Sequence, residues 1–197
     1  MTKKQSRESR LETLLTAAIE EFVEKGYNGA SMDSIAKRAG VSKGGLYHYF
    51  PTKEVLLMEA NNKISEPVNE MAAKALSNKS AIEGIRYYII QYLNYWVPRT
   101  KELSFTFLSM SKALESHILM DYFKEYVTQS SAFFVEMFRR AKISGEINIS
   151  DPEAYGISLM GALDGVLTYA VVHPQEDIAS LCSRMEKVWI GGDRIGK

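Results

Sequence analysis

The stretch from Ser31 to Lys53, SMDSIAKRAGVSKGGLYHYFPTK, decides the fold. Ser31 is a residue type whose hydroxyl caps helix N-termini, Asp33 falls in the positive first turn, and Ile35, Ala36 and Ala39 give a short helix one apolar face. Gly40 ends that helix, because glycine readily takes the left-handed conformation that closes a helix C-terminus. Val41 plugs the angle, Ser42 caps again, and a second short helix runs through Leu46 to Phe50 until Pro51 stops it. Two short helices joined by a tight glycine turn make a helix-turn-helix.

The second helix holds Gly44 and Gly45 side by side, each costing about 1 kcal/mol relative to Ala. Helix stability did not select them. Bare backbone at a helix start lets a partner come close, and the polar residues around it are Lys43, Tyr47, His48 and Tyr49, which together suit nucleic acid. Lys53 opens the next helix beside the same face. Packing alone accounts for Leu46 and Phe50, but it gives no purpose to a Gly-Gly pair flanked by a lysine.

At these residues the sequence resembles the TetR (tetracycline-repressor-like) family of one-component transcription regulators. The resemblance covers Leu11 to about Leu57 and is most specific at Gly40-Val41-Ser42-Lys43-Gly44, Leu46-Tyr47-His48-Tyr49-Phe50 and Lys53. It implies phosphate contacts from Ser31, Ser42, Tyr47, Tyr49 and Lys53, with Lys43, Gly44 and His48 near base edges. Gly45 departs from the pattern, standing where many relatives have Thr, and this implies one side-chain contact fewer and poorer direct readout. Beyond this region only length and helical layout match.

Charge and composition agree with a DNA-facing head. Residues 1–53 hold nine Lys/Arg against six Asp/Glu, whereas 54–197 hold fifteen against eighteen, so the head is basic and the body acidic although the whole is neutral. With 46% hydrophobic residues the chain can bury a core and is not of disordered composition. A single cysteine, Cys182, excludes an intrachain disulfide and a multi-cysteine zinc site. No metal and no cofactor are expected. No apolar run approaches the roughly 20 residues of a bilayer span and no signal core begins the chain, so a reducing, cytoplasmic location is expected.

In chain order, Lys3, Lys4, Arg7 and Arg10 make a polar tail able to reach neighbouring phosphates or the minor groove. Leu11, Leu14, Leu15, Ala18, Ile19, Phe22 and Val23 follow at helical spacing, ending at Lys25-Gly26. This helix closes a three-helix DNA-binding domain over residues 1–53. The remaining 54–197 lack any period-two segment long enough for a strand, so the expected fold class is all-α, with a ligand-binding and dimerisation bundle after the head. The helix from about Thr52 to Leu76 contains Pro67, where a break or kink is expected, and it joins head to body.

Helices over 79–98, about 101–114 and 118–144 are crowded with aromatics. Such residues fill ordinary cores. The family resemblance implies that some line a pocket, and Tyr92, Trp96, Phe107, Met110, Tyr126, Phe134 and Met137 are the candidates, suited to a flat or cationic hydrophobic ligand. Asp151-Pro152 starts a helix whose Gly156, Gly161 and Gly165 thin its surface, and a last helix runs from about Gln175 to Ile190. The two look like half of a four-helix homodimer interface, as in the family, with Gly161, Leu163, Asp164, Val166, Leu181, Met185 and Trp189 as its residues; completing a monomeric core is the other reading. Asp164 stands out, since a carboxylate in so apolar a helix needs a partner.

The expected function is a ligand-responsive repressor that binds a pseudo-palindromic operator as a homodimer and is released by a small hydrophobic molecule. Two other classes compete. One is a helical interaction protein whose helix-turn-helix no longer binds DNA. The other is an all-α enzyme using His117 and Asp121, which sit four apart on one helix face. Two residues make no active site, and the chain has no phosphate loop, no His-Glu-x-x-His and no nucleophile elbow, so no catalytic residue is assigned.

Overall fold

The computed structural model describes residues 6–191, so Lys3 and Lys4 lie outside the described residues. Among those described there are nine α-helices and no strand: α1 (Arg7–Gly29), α2 (Met32–Arg38), α3 (Lys43–Tyr49), α4 (Lys53–Ser77), α5 (Ala81–Trp96), α6 (Thr100–Lys112), α7 (His117–Ile143), α8 (Pro152–Val172) and α9 (Ile178–Trp189). A single 3-10 turn, Ala113–Glu115, follows α6. The all-α reading holds. The residues gather into two compact units, one comprising the chain up to Glu66 with Lys101–Lys124, the other Pro67–Thr100 with the chain from Glu125 onward.

In the first unit, α1 starts where the Ser6 hydroxyl accepts from the Ser9 amide at 3.1 Å. It buries Leu14, Leu15, Ala18 and Phe22. Gly26 leaves the helical region with φ +67°, as expected for the helix end, and a short turn then carries the assigned element on to Gly29. An ionic clamp fixes α2 against α1. The Arg38 guanidinium reaches Glu21 at 2.8 Å and also Glu20 and Glu24, and Glu21, only 1% exposed, is paired with Lys25 as well. A buried carboxylate left alone would be costly, so these partners are what permit Glu21 to sit inside. Phe105 of α6 stacks on Phe22 with centroids 5.6 Å apart, and Tyr122 donates to the Asn62 side chain at 2.8 Å.

The second unit is held by close backbone contact. A Cβ on Gly84 of α5 would lie 2.5 Å from the Ala75 carbonyl oxygen, and one on Gly156 of α8 would lie 2.6 Å from the Val135 amide of α7. Glu146, in the turn after α7, caps α5 by accepting from the Ala81 and Ile82 amides, both at 3.1 Å, and from the Ser80 hydroxyl. Asp151 caps α8 by accepting from Glu153 and Ala154, with Pro152 at the first helical position as expected. Of the break or kink expected at Pro67, the break does not occur: α4 runs as one helix from Lys53 to Ser77. A 25-residue helix loses one hydrogen bond there and retains its neighbours on both sides. One expectation is corrected: α8, 21 residues long, does reach the length and apolar composition of a bilayer span. Its Gly, Ser, Thr and Asp164 residues interrupt any unbroken apolar run, which hid this from the sequence reading. A mostly buried core helix passes the same test; in α8 Leu159, Leu163 and Leu167 are buried in the unit, while 28% of its most apolar window is buried in all.

Candidate nucleic-acid interface

The helix-turn-helix follows from its capping residues. Ser31 and Ser34 form a reciprocal capping box at the start of α2, with each hydroxyl accepting the other's backbone N–H at 3.0 Å. Gly40, at φ +67°, closes α2 while the Val41 amide donates back to the Ala36 carbonyl at 3.0 Å. Ser42 then caps α3 by accepting from the Gly45 amide at 3.1 Å. Leu46 and Phe50 face inward, at 0% and 2% exposure, as their packing role requires.

What remains outward is one polar face. Ser31, Ser42, Lys43, Gly44, Tyr47 and His48 are exposed and Tyr49 is half-buried with its ring against His48, edge to face at 5.5 Å. Nothing lies within 4 Å of a Cβ built on Gly44, so no internal contact demands glycine there. Lys43, the first residue of α3, pairs with Asp33 at 2.8 Å, and this hydrogen bond raises its pKa. Lys53 is placed differently from a solvent-reaching lysine. Its ammonium donates to the Ala30 carbonyl at 2.7 Å and lies 4.2 Å from the centre of the Tyr27 ring, and burial lowers its pKa. The same burial, with Glu54 nearby, pushes the Tyr27 hydroxyl up to about 12. Arg7 and Arg10 belong to the first turn of α1.

The seven candidate ligand residues divide between the two units. Phe107 and Met110 are half-buried in the first unit, and the other five belong to the second. There, a cavity of about 100 Å³ is lined by Tyr88, Tyr126, Phe133 and Phe134 with Val68 and Ala72, its polar rim formed by Asn69, Gln129 and Ser130. Tyr126 and Phe134 are thus brought together, while Trp96 (3% exposed) and Met137 (0%) are packed into core. Tyr92 stacks on Tyr88 at 5.5 Å and donates to Asp164 at 3.2 Å, which gives that carboxylate an intrachain partner. Burial raises the pKa of Asp164 and that hydrogen bond opposes the rise. Tyr88 and Phe133 are aromatics of the same helices that are not among the seven candidates; Tyr88 lies one turn before Tyr92 on the same helix face, which is a usable signal.

Of the candidate interface residues, Leu163, Leu181 and Met185 are buried within the second unit, Asp164, Val166 and Trp189 are half-buried, and Gly161 is exposed. The outward stripe of α8 comprises Ala154, Ile157, Gly161, Gly165, Thr168 and Val172, so of the candidates on this helix Gly161 belongs to it. His117 and Asp121 are both exposed at the start of α7. Among the described residues no group of three or more His, Cys, Asp or Glu could hold a metal.

Residues 14–60 match the family model for bacterial regulatory proteins of the tetR family. Among curated relatives, the HTH-type transcriptional regulator QacR of Staphylococcus aureus is 24% identical over 188 residues, 91% of this chain and 95% of that protein. An uncharacterized HTH-type regulator, YuxN of Bacillus subtilis, is 45% identical over 49 residues, which are 25% of this chain and only 17% of that protein. Among solved structures, the transcriptional regulator FadR of Bacillus subtilis in complex with stearoyl-CoA shares the fold with a TM-score of 0.74 at 23% identity, covering 92% of this chain and 99% of that one. The match falls on the same helices that the capping residues and the exposed face of α3 single out, and the chain belongs to the TetR family of transcriptional regulators.

Proposed function

We propose that this DNA-binding regulator is a homodimeric, cytoplasmic repressor that reads a pseudo-palindromic operator and is released by a small hydrophobic molecule. The observation that carries the DNA half is the outward face of α3, where Lys43, bare Gly44, Tyr47 and His48 stand clear of the core beside the Ser42 cap. In this reading residues 1–53 are the DNA-binding domain and 54–197 the ligand-binding and dimerisation domain. Ser31, Ser42, Tyr47 and Tyr49 hold phosphates, and Lys43, Gly44 and His48 meet base edges. Lys53 would have to leave Ala30 and Tyr27 to reach a phosphate, so its contribution is smaller than that of an unengaged lysine.

The apolar stripe on α8 supports the dimer. Ile157, at 47%, and Val172, at 68%, are more exposed than isolated residues of their kind need be, and a two-fold partner would cover them. Two heads on one two-fold axis call for two half-sites about one helical turn, ~34–36 Å, apart or slightly more. The aromatic cavity of about 100 Å³ supports an apolar effector, and α4 supplies three of its lining residues, Val68, Asn69 and Ala72. Since FadR of Bacillus subtilis holds stearoyl-CoA on the same fold, a lipophilic effector is the class to screen first. An effector releases DNA only if it binds the DNA-incompetent state more tightly.

The test is binding to random duplex and to a selected operator across salt. Wild-type affinity should fall steeply with salt, and Lys43→Ala should lower operator affinity more than random-duplex affinity, a loss of selectivity. Wild-type protein that shows no salt-dependent duplex binding would rule the reading out in favour of a helical interaction protein.

A further inference from the structure

Lys43 stands at an electrostatically awkward place. It is the first residue of α3, where the aligned peptide dipoles and unpaired N–H groups present positive potential, so the helix itself repels the ammonium. Asp33 offsets this. Its carboxylate oxygens lie 2.8 Å and 3.1 Å from the Lys43 nitrogen. The pair is not left to chance in the chain's geometry. Asp33 is the second residue of α2, whose start is pinned by the Ser31/Ser34 capping box; Lys43 directly follows Ser42, whose hydroxyl caps α3. Between them, Gly40 at φ +67° and the Val41 to Ala36 hydrogen bond fix the angle of the two helices. The two side chains are exposed, 59% for Lys43 and 64% for Asp33, so the pair sits at the surface that would meet DNA and not beneath it.

We propose that Asp33 is an affinity-setting residue: by pairing with Lys43 in the free protein it obliges the recognition-helix ammonium to give up a partner before it can contact DNA, and so weakens the grip of α3 on any duplex. This rests on the reading that α3 faces DNA. The physical basis is that non-specific affinity comes almost wholly from cations released onto phosphates, while discrimination comes from directed hydrogen bonds to bases. A lysine already neutralised by a carboxylate gives up that pairing on any DNA. At a random site it gains one screened phosphate contact in return. At a correct site it gains a directed bond to an acceptor such as guanine O6 or N7, which outweighs the lost pair. The pair is lost at either site, so Asp33 weakens both kinds of binding by up to the strength of an exposed ion pair and leaves their ratio nearly unchanged.

The test uses full-length wild type, Asp33→Asn, Lys43→Ala and the double variant, with two duplexes: a random-sequence one and one selected from a random pool by the wild-type protein. Asparagine retains the length and hydrogen-bonding capacity at the start of α2, and helical content by circular dichroism checks that the head is folded. Asp33→Asn should bind random duplex about twofold to fivefold tighter at low salt, the range that exposed ion pairs reach, with the gain fading as salt rises. Operator affinity should rise by a similar factor, leaving the operator-to-random ratio nearly unchanged. In the Lys43→Ala background the same Asp33 change should have less than half the effect, because the carboxylate acts through the lysine. An equal gain in both backgrounds would make Asp33 a plain surface charge and overturn the proposal, as would unchanged random-duplex affinity. Wild-type protein that binds neither duplex would instead remove the DNA reading itself.

Discussion

Replacing Glu146 by Gln should destabilise the second unit without touching any DNA-facing residue. The Glu146 carboxylate accepts from the Ala81 and Ile82 amides at the open start of α5, from Ser80, and from the Ser144 hydroxyl at 2.7 Å. Burial alone would raise its pKa, but the donations from Ser144 and Ser80 and from the amides of Ile82 and Ala81 outweigh it and bring the value from 4.5 down to about 2. Taken whole, that shift corresponds to about 3 kcal/mol. Solvent reaches this half-buried group and screens it, so about 1–2 kcal/mol is the working figure. A depressed pKa means that the folded state prefers the ionised form. Its contribution is therefore fully present above pH 4.5, the unfolded value, and is lost as pH falls toward 2. Thermal melts of Glu146→Gln at pH 7 should lie below wild type by about 2–8 °C, at about 2–4 °C per kcal/mol for a protein of this size. The gap should narrow steadily as pH falls from about 4.5 toward 2. Coincident melts at pH 7, or a gap that stays constant into acid, would refute the capping role of the charge.

Gly156→Ala should be destabilising by about 1–3 kcal/mol despite alanine's better helix propensity, because the new Cβ meets Val135 backbone that cannot step aside; a melting temperature at or above wild type would show that α8 can move off α7. On the outward stripe of the same helix, Ile157→Arg should leave the melting of an isolated subunit nearly unchanged, since the residue is 47% exposed, yet convert the dimer to monomer in light scattering. A variant that stays dimeric places the interface elsewhere, and a monomeric wild type withdraws the dimer proposal.

The head was legible from sequence because its geometry is made by residues whose chemistry is local. Ser31, Ser42 and Asp151 cap because their oxygens reach amides two or three residues on, and Gly26 and Gly40 adopt positive φ because they lack a Cβ. Helical spacing likewise announced Leu46 and Phe50 as core and the all-α class as a whole. Longer-range pairings left no such trace. Nothing within ten residues of Lys53 says that its ammonium turns back onto Ala30 and Tyr27, and nothing near Glu146 says that it closes a helix beginning 65 residues earlier.

The glycines of α8 mark the division most clearly. Gly156, Gly161 and Gly165 are alike in sequence and were read together as one thinned surface. In the fold, Gly156 lies against the backbone of α7 where a methyl group has no room, while a Cβ on Gly161 or Gly165 would meet nothing within 4 Å. The five residues from Gly156 to Gly161 turn the helix by about 500°, or 140° beyond a full turn at 3.6 residues per turn, so the two cannot share a face. The sequence by itself determined that this helix is apolar, capped at Asp151 and able to pack closely. Which of its sides is filled by the chain's own α7, and which is left open, was decided only when the neighbouring helices were in place, because burial belongs to a pair of surfaces and a sequence states only one of them at a time.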